Sequence, residues 1–373
     1  MAQRRILIAG GGLAGLITAL HLAREGISST VIEKQCYPFH RVCGEYVSNE
    51  VVPYLNRLEA YPDLLRPAQI KRFQLSSTRG DLAELMLDTG GFGISRYCLD
   101  QFLYQLAIRR GIQFMLETEL TNIHFKGDSF LVDSSAGSHE ADLVIAAHGK
   151  RSRIDKQLER SFVSRSSPYV GVKYHITLPD FPDDLIALHN FSNGYCGISR
   201  VENEIINLCY LTHRDNVRAY GNIRAMEEAV LFRNPFIRDI FNRARFLFEK
   251  PETINEISFE TKGPVEHHIL FCGDAAGMVT PLCGNGMAMA IHAAKLLGER
   301  VVRWCREPGY SRAILEKDYA QTWQRRFSKR LWVGRSIQRL FGSDRASRSA
   351  VRLARHIKPV ANLLVSLTHG KPF

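Results

Sequence analysis

The chain has 373 residues, 45% of them hydrophobic and 23% charged, with 49 Lys and Arg against 38 Asp and Glu, a formal charge of +11. That length buries a sizeable core in about two or three domains. The eight cysteines form no C-x-x-C pair and show no paired histidine spacing, which argues against a zinc module or a secreted disulfide framework and for a reducing cytoplasm.

The first element is Arg5-Ile6-Leu7-Ile8-Ala9 followed by Gly10-Gly11-Gly12-Leu13-Ala14-Gly15, a strand running into a glycine turn. The apolar spacing of Leu13, Leu16, Ile17, Leu20 and Ala23 predicts a helix that ends at Arg24-Glu25-Gly26, and Val31-Ile32 predicts a second strand closed by Glu33. This is a dinucleotide-binding pattern. Gly10 permits the turn, Gly12 lets the backbone approach a pyrophosphate, Gly15 allows close packing, and Glu33 accepts ribose hydroxyls about twenty residues on. The uncharged run from Ile6 to Leu20 also invites a signal-peptide or anchor reading, but three consecutive glycines and the continuing helical periodicity oppose it. A cytoplasmic protein, at most peripheral to a membrane, is expected.

The loop Tyr37 to Ser48 carries Arg41, Cys43 and Glu45, and Phe73 to Leu87 reads as strand. Gly91-Phe92-Gly93 is not preceded by a buried strand, so it is not read as a second nucleotide turn; Arg96 follows it at the start of a helix. The stretch Asp142 to Ala147 is a buried strand, followed by His148-Gly149-Lys150-Arg151, with His148 read as a loop residue and the two cations as able to attract a phosphate. Between Phe162 and Glu260, alternating runs such as Val170 to Ile176 and Ile205 to Leu211 predict antiparallel strands, with Lys173, Tyr174 and Tyr195 as candidates to face a substrate. Ile223 to Phe248 reads as helix covering the cavity. His267-His268, at the start of a strand, is read as structural.

Ile269 to Cys272 forms a buried strand, Gly273-Asp274 stands at its carboxyl end, and Pro281-Leu282-Cys283-Gly284-Asn285-Gly286-Met287 feeds the helical run from Ala288 to Leu297. An aspartate so placed binds a ribityl hydroxyl, and the helix N-terminus favours negative charge on a reduced flavin. The pairing of this Gly-Asp strand end with the N-terminal glycine turn resembles the para-hydroxybenzoate hydroxylase fold, and within it most closely the geranylgeranyl reductase-related oxidoreductases, over nearly the whole chain. The tryptophan-rich motif of the related halogenases is missing, since Gly194 to Arg200 stands in its place.

The resemblance implies an α/β architecture: a Rossmann-like FAD-binding domain (1–70, 91–160 and 265–305), interrupted by an antiparallel-sheet substrate domain (71–90 and 161–264), with C-terminal helices over 306–373. It implies FAD contacts from Gly10, Gly12, Leu13, Ala14, Gly15, Glu33, Lys34, Arg41, Arg96, Leu120, Gly273, Asp274, Gly284, Gly286 and Met287. Cys43, Glu45 and Asn285 are candidates on the substrate side. His148 stands where related hydroxylases carry an acid, and there is no second nucleotide fingerprint, so NAD(P)H is expected to dock transiently. The implied activity is hydride transfer through FAD to an alkene, or oxygen activation, on a hydrophobic isoprenoid or polyketide-like substrate.

In the C-terminal segment, Tyr319, Trp323, Phe327 and Leu331 recur at helical spacing and predict a long helix packed on the FAD-binding domain. Beyond Gly342, Leu353, Ile357, Val360 and Leu364 define one face and Arg348, Arg352, Arg355 and Lys358 the other, with Pro359 bending the helix. That basic face suits a solvated surface, an anionic membrane or an acidic carrier protein. No helix-turn-helix, zinc module or aromatic strip among the basic residues points to specific nucleic-acid binding.

Overall fold

The computed structural model describes residues 4–278, 280, 284–338, 343–357 and 369–373. In chain order its elements are β1 (Ile6–Ala9), α1 (Leu13–Arg24), β2 (Thr30–Ile32), β3 (Tyr46–Ser48), α2 (Val52–Arg57), β4 (Ala68–Ser76), β5 (Leu82–Gly93), α3 (Arg96–Arg109) and β6 (Gln113–Met115). There follow β7 (Leu120–Lys126), β8 (Ser129–Ser134), β9 (Gly137–Ala141), β10 (Leu143–Ala146), α4 (Arg153–Gln157), β11 (Tyr169–Thr177), β12 (Leu185–Phe191), β13 (Gly194–Arg200) and β14 (Ile206–His213). The rest comprises α5 (Arg214–Tyr220), α6 (Ile223–Val230), α7 (Pro235–Arg243), β15 (Arg245–Phe246), β16 (Glu252–Asn255), β17 (Val265–Glu266), β18 (Ile269–Phe271), α8 (Gly286–Arg306), α9 (Arg312–Gln338) and α10 (Asp344–His356).

Fully apolar, β-branched runs such as Ile6–Ala9 and Leu143–Ala146 can be buried on both faces only in a parallel sheet. They form it: the order is β17-β18-β10-β1-β2-β6, parallel throughout except for β17. The core around it includes α1, α8 and α9, and Tyr319, Trp323, Phe327 and Leu331 are all buried there. The Tyr319 hydroxyl donates to the Phe271 carbonyl at 2.7 Å, fastening α9 to the end of β18. The FAD-type fold with its inserted antiparallel sheet is thus present.

The second sheet runs β15-β11-β14-β13-β12-β4-β5-β3, with β16 beside β11. The strand pair from the first half runs beyond 71–90 at both ends, and β3 adds residues 46–48 to the same sheet through pairing with Gly91–Gly93. Alternation along β11 sends Val172, Tyr174 and Ile176 to one face, where they pack with Met226, Val230, Ile237 and Phe241. Two expectations are corrected by this period-2 geometry. The helices of 223–248 cover the outer face rather than the cavity, and Tyr174 lies under them, its hydroxyl donating to Glu227 at 3.0 Å. Lys173 and Tyr195 belong to the opposite face.

That opposite face carries Leu75, Ala83, Leu85, Leu188, Tyr195 and Leu211, packed with Met278 and with Val351 and Ala354 of α10. Ser347, Val351 and Ala354 form the buried stripe of α10, whereas Ile357 is 46% exposed and Leu353 only partly covered. The expected Leu353–Ile357 face is therefore displaced by about one helical position, because a close approach to the sheet selects the smaller side chains. Lys358, Pro359, Val360 and Leu364 lie outside the described residues.

His189 is buried in the second sheet, stacked on Phe236 with ring centroids 5.3 Å apart and hydrogen-bonded to Ser76 at 2.9 Å. Burial pulls its pKa from 6.5 down to about 4. Folding therefore favours the neutral ring, and its stabilisation is present above pH 6.5 and is lost as pH falls toward 4. The His189→Gln variant is expected to lose less unfolding free energy than the wild type over that window, by on the order of 2 kcal/mol, as read by urea unfolding at stepped pH.

Candidate functional site

The glycine turn has the geometry its sequence demands. Gly10 sits at φ +109°, and a Cβ there would come within 2.7 Å of the Ala147 carbonyl oxygen. A Cβ on Gly15 would lie 2.0 Å from the Gly10 carbonyl oxygen, so both positions require glycine. Gly12 is the extended N-cap of α1, with no side chain capping the helix and no acid in its first turn. A Cβ at Gly12 would stand 3.7 Å from the Arg96 guanidinium and 3.9 Å from that of Arg41. Two cations thus meet an uncapped helix N-terminus, an arrangement suited to a pyrophosphate.

These cations are themselves oriented by carboxylates. Arg96 donates twice to Asp100, at 2.8 and 2.7 Å, and Arg41 reaches Asp100 at 3.3 Å and Glu33 at 3.4 Å. Glu33 accepts from the Gly11 amide at 2.9 Å, while the Tyr37 hydroxyl donates to the Gly11 carbonyl. Leu13, Ala14 and Gly15 lie buried in the first turn of α1, and Lys34 is exposed beside Glu33. Leu120 opens β7 in the core, two residues after Thr118, whose amide donates to the Glu33 carbonyl at 3.1 Å.

The two halves of the sequence pattern meet directly. A Cβ on Gly273, at φ +64°, would lie 2.9 Å from the Ala14 methyl, which sets Asp274 beside the start of α1. Gly284, at φ +62°, lies against the Tyr46 ring, and Gly286 and Met287 open α8. Asn285, the N-cap residue of α8, is buried and donates to Glu50 at 3.0 Å; Glu50 also receives Arg330 at 3.4 Å. Through that bond Asn285, a candidate for the substrate side, joins α8 to the loop after β3 and to α9. Pro281, Leu282 and Cys283 lie outside the described residues.

Glu45 has no solvent exposure and a positive φ of 54°. Its carboxylate accepts from Lys173 at 2.5 Å, from His175 at 2.7 Å and from the Arg96 amide at 2.8 Å. Burial alone would push this carboxyl up, but the Lys173 ammonium and the His175 ring outweigh it and hold it below its usual range. Glu45 therefore sits inside an ion cluster. The neighbouring Cys43 is partly buried, its carbonyl accepting from Asn207 at 3.1 Å. His40 stacks on Tyr97 and meets His175 edge-on, and burial lowers its pKa to about 4.

Sequence reasoning missed a second buried cluster. His148 lies 3.1 Å from Asp155, which accepts from the fully buried Arg160 at 2.9 Å. Arg160 also donates to Glu266 at 2.8 Å and to the Ala275 carbonyl at 2.9 Å. The expectation that His148 is simply a loop residue is thereby corrected, since it belongs to the network that positions the Asp274–Ala275 turn. Lys262 donates to the carbonyls of Lys150 and Asp274 at 2.6 and 3.0 Å, and burial lowers its pKa to about 8. Lys150 and Arg151 are occupied by the Val42 carbonyl and by Glu256.

Residues 3–189 match the family described as FAD binding domain. The chain belongs to that family. It is an FAD-dependent oxidoreductase whose relatives include reductases and hydroxylases. The flavoprotein is 24% identical over 330 residues to Digeranylgeranylglycerophospholipid reductase 3 of Methanosphaera stadtmanae, covering 84% of this chain and 80% of the relative. It is 24% identical over 329 residues to 3-hydroxybenzoate 6-hydroxylase of Klebsiella oxytoca, covering 80% of each. A geranylgeranyl bacteriochlorophyll reductase-like structure from Thermoplasma acidophilum superposes with a TM-score of 0.73 at 17% identity, covering 95% of this chain and 91% of the other. No helix among the described residues is long and apolar enough to cross a membrane.

FAD fits the residues present, because the space beside Gly12 that a side chain would take faces two guanidiniums and a helix N-terminus. Arg41, Arg96 and α1 would hold the pyrophosphate, Glu33 the adenosine ribose and Asp274 the ribityl chain. When bound, FAD supplies hydride transfer. The Glu33→Ala and Asp274→Ala variants are each expected to bind FAD more weakly by about 1–3 kcal/mol, measured by equilibrium dialysis of the released flavin. Glu45→Gln leaves Lys173 without its counter-charge, and a stability loss of about 3–5 kcal/mol is expected in urea at neutral pH. Because folding depresses the Glu45 pKa, this contribution is complete above the ordinary glutamate value and is lost as pH falls through the folded one.

Proposed function

We propose that the flavoprotein reduces a carbon–carbon double bond in a hydrophobic, isoprenoid-like substrate, with NAD(P)H docking transiently as reductant. The observation that carries this reading is the buried Glu45–Lys173–His175 cluster on the site-facing side of the second sheet. Reduction of an alkene consumes one hydride and one proton. Glu45 accepts from both Lys173 Nζ and His175 Nε2, so the cluster sets two hydrogen-bond donors on this face out of contact with bulk water. Along the same face, Leu188, Tyr195 and Leu211 form an apolar layer that is buried in the folded chain.

The relative named as a lipid reductase supports the isoprenoid class, and the described residues contain a single parallel sheet of nucleotide-binding type, in keeping with a transient NAD(P)H. The test is anaerobic incubation of the FAD-loaded protein with NADPH or NADH and a geranylgeranyl ether lipid, followed by mass spectrometry. The expected product gains two hydrogens per double bond. A product formed only in air, with one added oxygen atom, would replace this reading with a monooxygenase.

A further inference from the structure

The excess cations of this chain are gathered in one place. Residues 321–358 contain eleven Lys and Arg against Asp344 alone, leaving 38 cations and 37 acids for the rest of the sequence. Nine of the eleven stand on the second half of α9 and on α10. The two helices are neighbours, since Phe259 packs in the apolar cluster that holds Val351 and Ala354 and lines one cavity with Arg335 and Gln338. A charge imbalance confined to one region makes a field that draws anionic partners there.

The α9 half also carries a tryptophan in the open. Trp332 is 65% exposed, whereas Trp304 and Trp323 are buried. Arg325 and Lys329 stand seven and three residues before it and Arg335 three after, which places all three cations on its own side of the helix. Arg325 and Lys329 are exposed and Arg335 partly so, and none of the three makes an ion pair among the described residues. Arg330, on the other side of the helix, is instead taken by Glu50 at 3.4 Å. On α10, Val351 and Ala354 are held against the sheet while Arg345, Arg352 and Arg355 are exposed, with Ile357 following them at 46% exposure.

An indole ring rimmed by solvated cations has the chemistry of the bilayer headgroup zone. The ring sets its apolar body at the edge of the acyl chains and its N–H among the headgroups, and each nearby cation is drawn to an anionic leaflet. An acidic polypeptide would match the charge alone. No helix among the described residues is long and apolar enough to cross a membrane, so these helices meet a bilayer only at its surface. We propose that the Trp332 face of α9, assisted by the basic face of α10, docks the protein on an anionic membrane surface. The docking surface is independent of the reaction proposed above.

Co-sedimentation of the FAD-loaded, full-length protein with vesicles of mixed phosphatidylglycerol and phosphatidylcholine tests this. Binding is expected to the mixed vesicles and not to pure phosphatidylcholine, and it should weaken as salt rises. The bound protein should show blue-shifted tryptophan emission, because Trp332 is the one tryptophan open to solvent. Changing Arg325, Lys329 and Arg335 together to Gln is expected to weaken binding about a hundredfold. Trp332→Ala should weaken it about tenfold and remove the blue shift. FAD content and melting temperature should stay unchanged in both variants, since all four side chains are at the surface. Vesicle binding indifferent to these substitutions would overturn the proposal. So would binding that is lost in the triple variant but brings no shift in emission, since a solvated basic surface would then be attracting any polyanion. Polyglutamate binding as tightly as the mixed vesicles, and undiminished in Trp332→Ala, would assign the surface to an acidic polypeptide instead.

Discussion

A carboxylate without access to water connects the two sheets. Glu45 lies in the loop leading from the glycine-turn unit, and its partners Lys173 and His175 are two positions apart on β11 of the second sheet. The Arg96 amide at the start of α3 donates to the same group, and Arg96 also carries one of the guanidiniums facing Gly12. Movement of one partner would leave a buried charge unmatched, at a cost of several kcal/mol. The cluster thus sets the distance between the phosphate-binding turn and the sheet on which a substrate would lie.

A similar economy governs the other side of the cofactor site. Arg160 uses its whole guanidinium on Asp155, Glu266 and the carbonyls of Gly263 and Ala275, and its plane lies 3.7 Å over the Phe271 ring. Lys262 draws the loops after β10 and β18 toward one another through their carbonyls. Neither cation is left to hold a ligand. Their effect is to immobilise the backbone from which Asp274 projects, which lowers the entropy lost when a cofactor binds.

Much of this was legible in the sequence where a local rule admits one solution. The turn at Gly10 and Gly15 leaves no room for a side chain, and the buried strand before Gly273-Asp274 has a period that only a two-sided core satisfies. The helix through Tyr319, Trp323, Phe327 and Leu331 was likewise evident from spacing alone. What could not be read were pairings between distant residues: Glu45 with Lys173, Asn285 with Glu50, and His148 with Asp155 are each polar residues in ordinary-looking segments. Nothing local distinguishes an internal ion pair from a solvated charge. The buried stripe of α10 escaped for another reason, since the sheet beneath it accepts small side chains and periodicity favoured the large ones.

That stripe has a kinetic consequence. α10 rests on the sheet through Ser347, Val351 and Ala354, side chains that together bury little apolar area. A helix attached so lightly detaches at a free energy well below that of global unfolding. Its amide hydrogens will therefore exchange through an opening of their own, which uncovers Leu75, Ala83 and Leu85 of β4 and β5 while the parallel sheet stays intact.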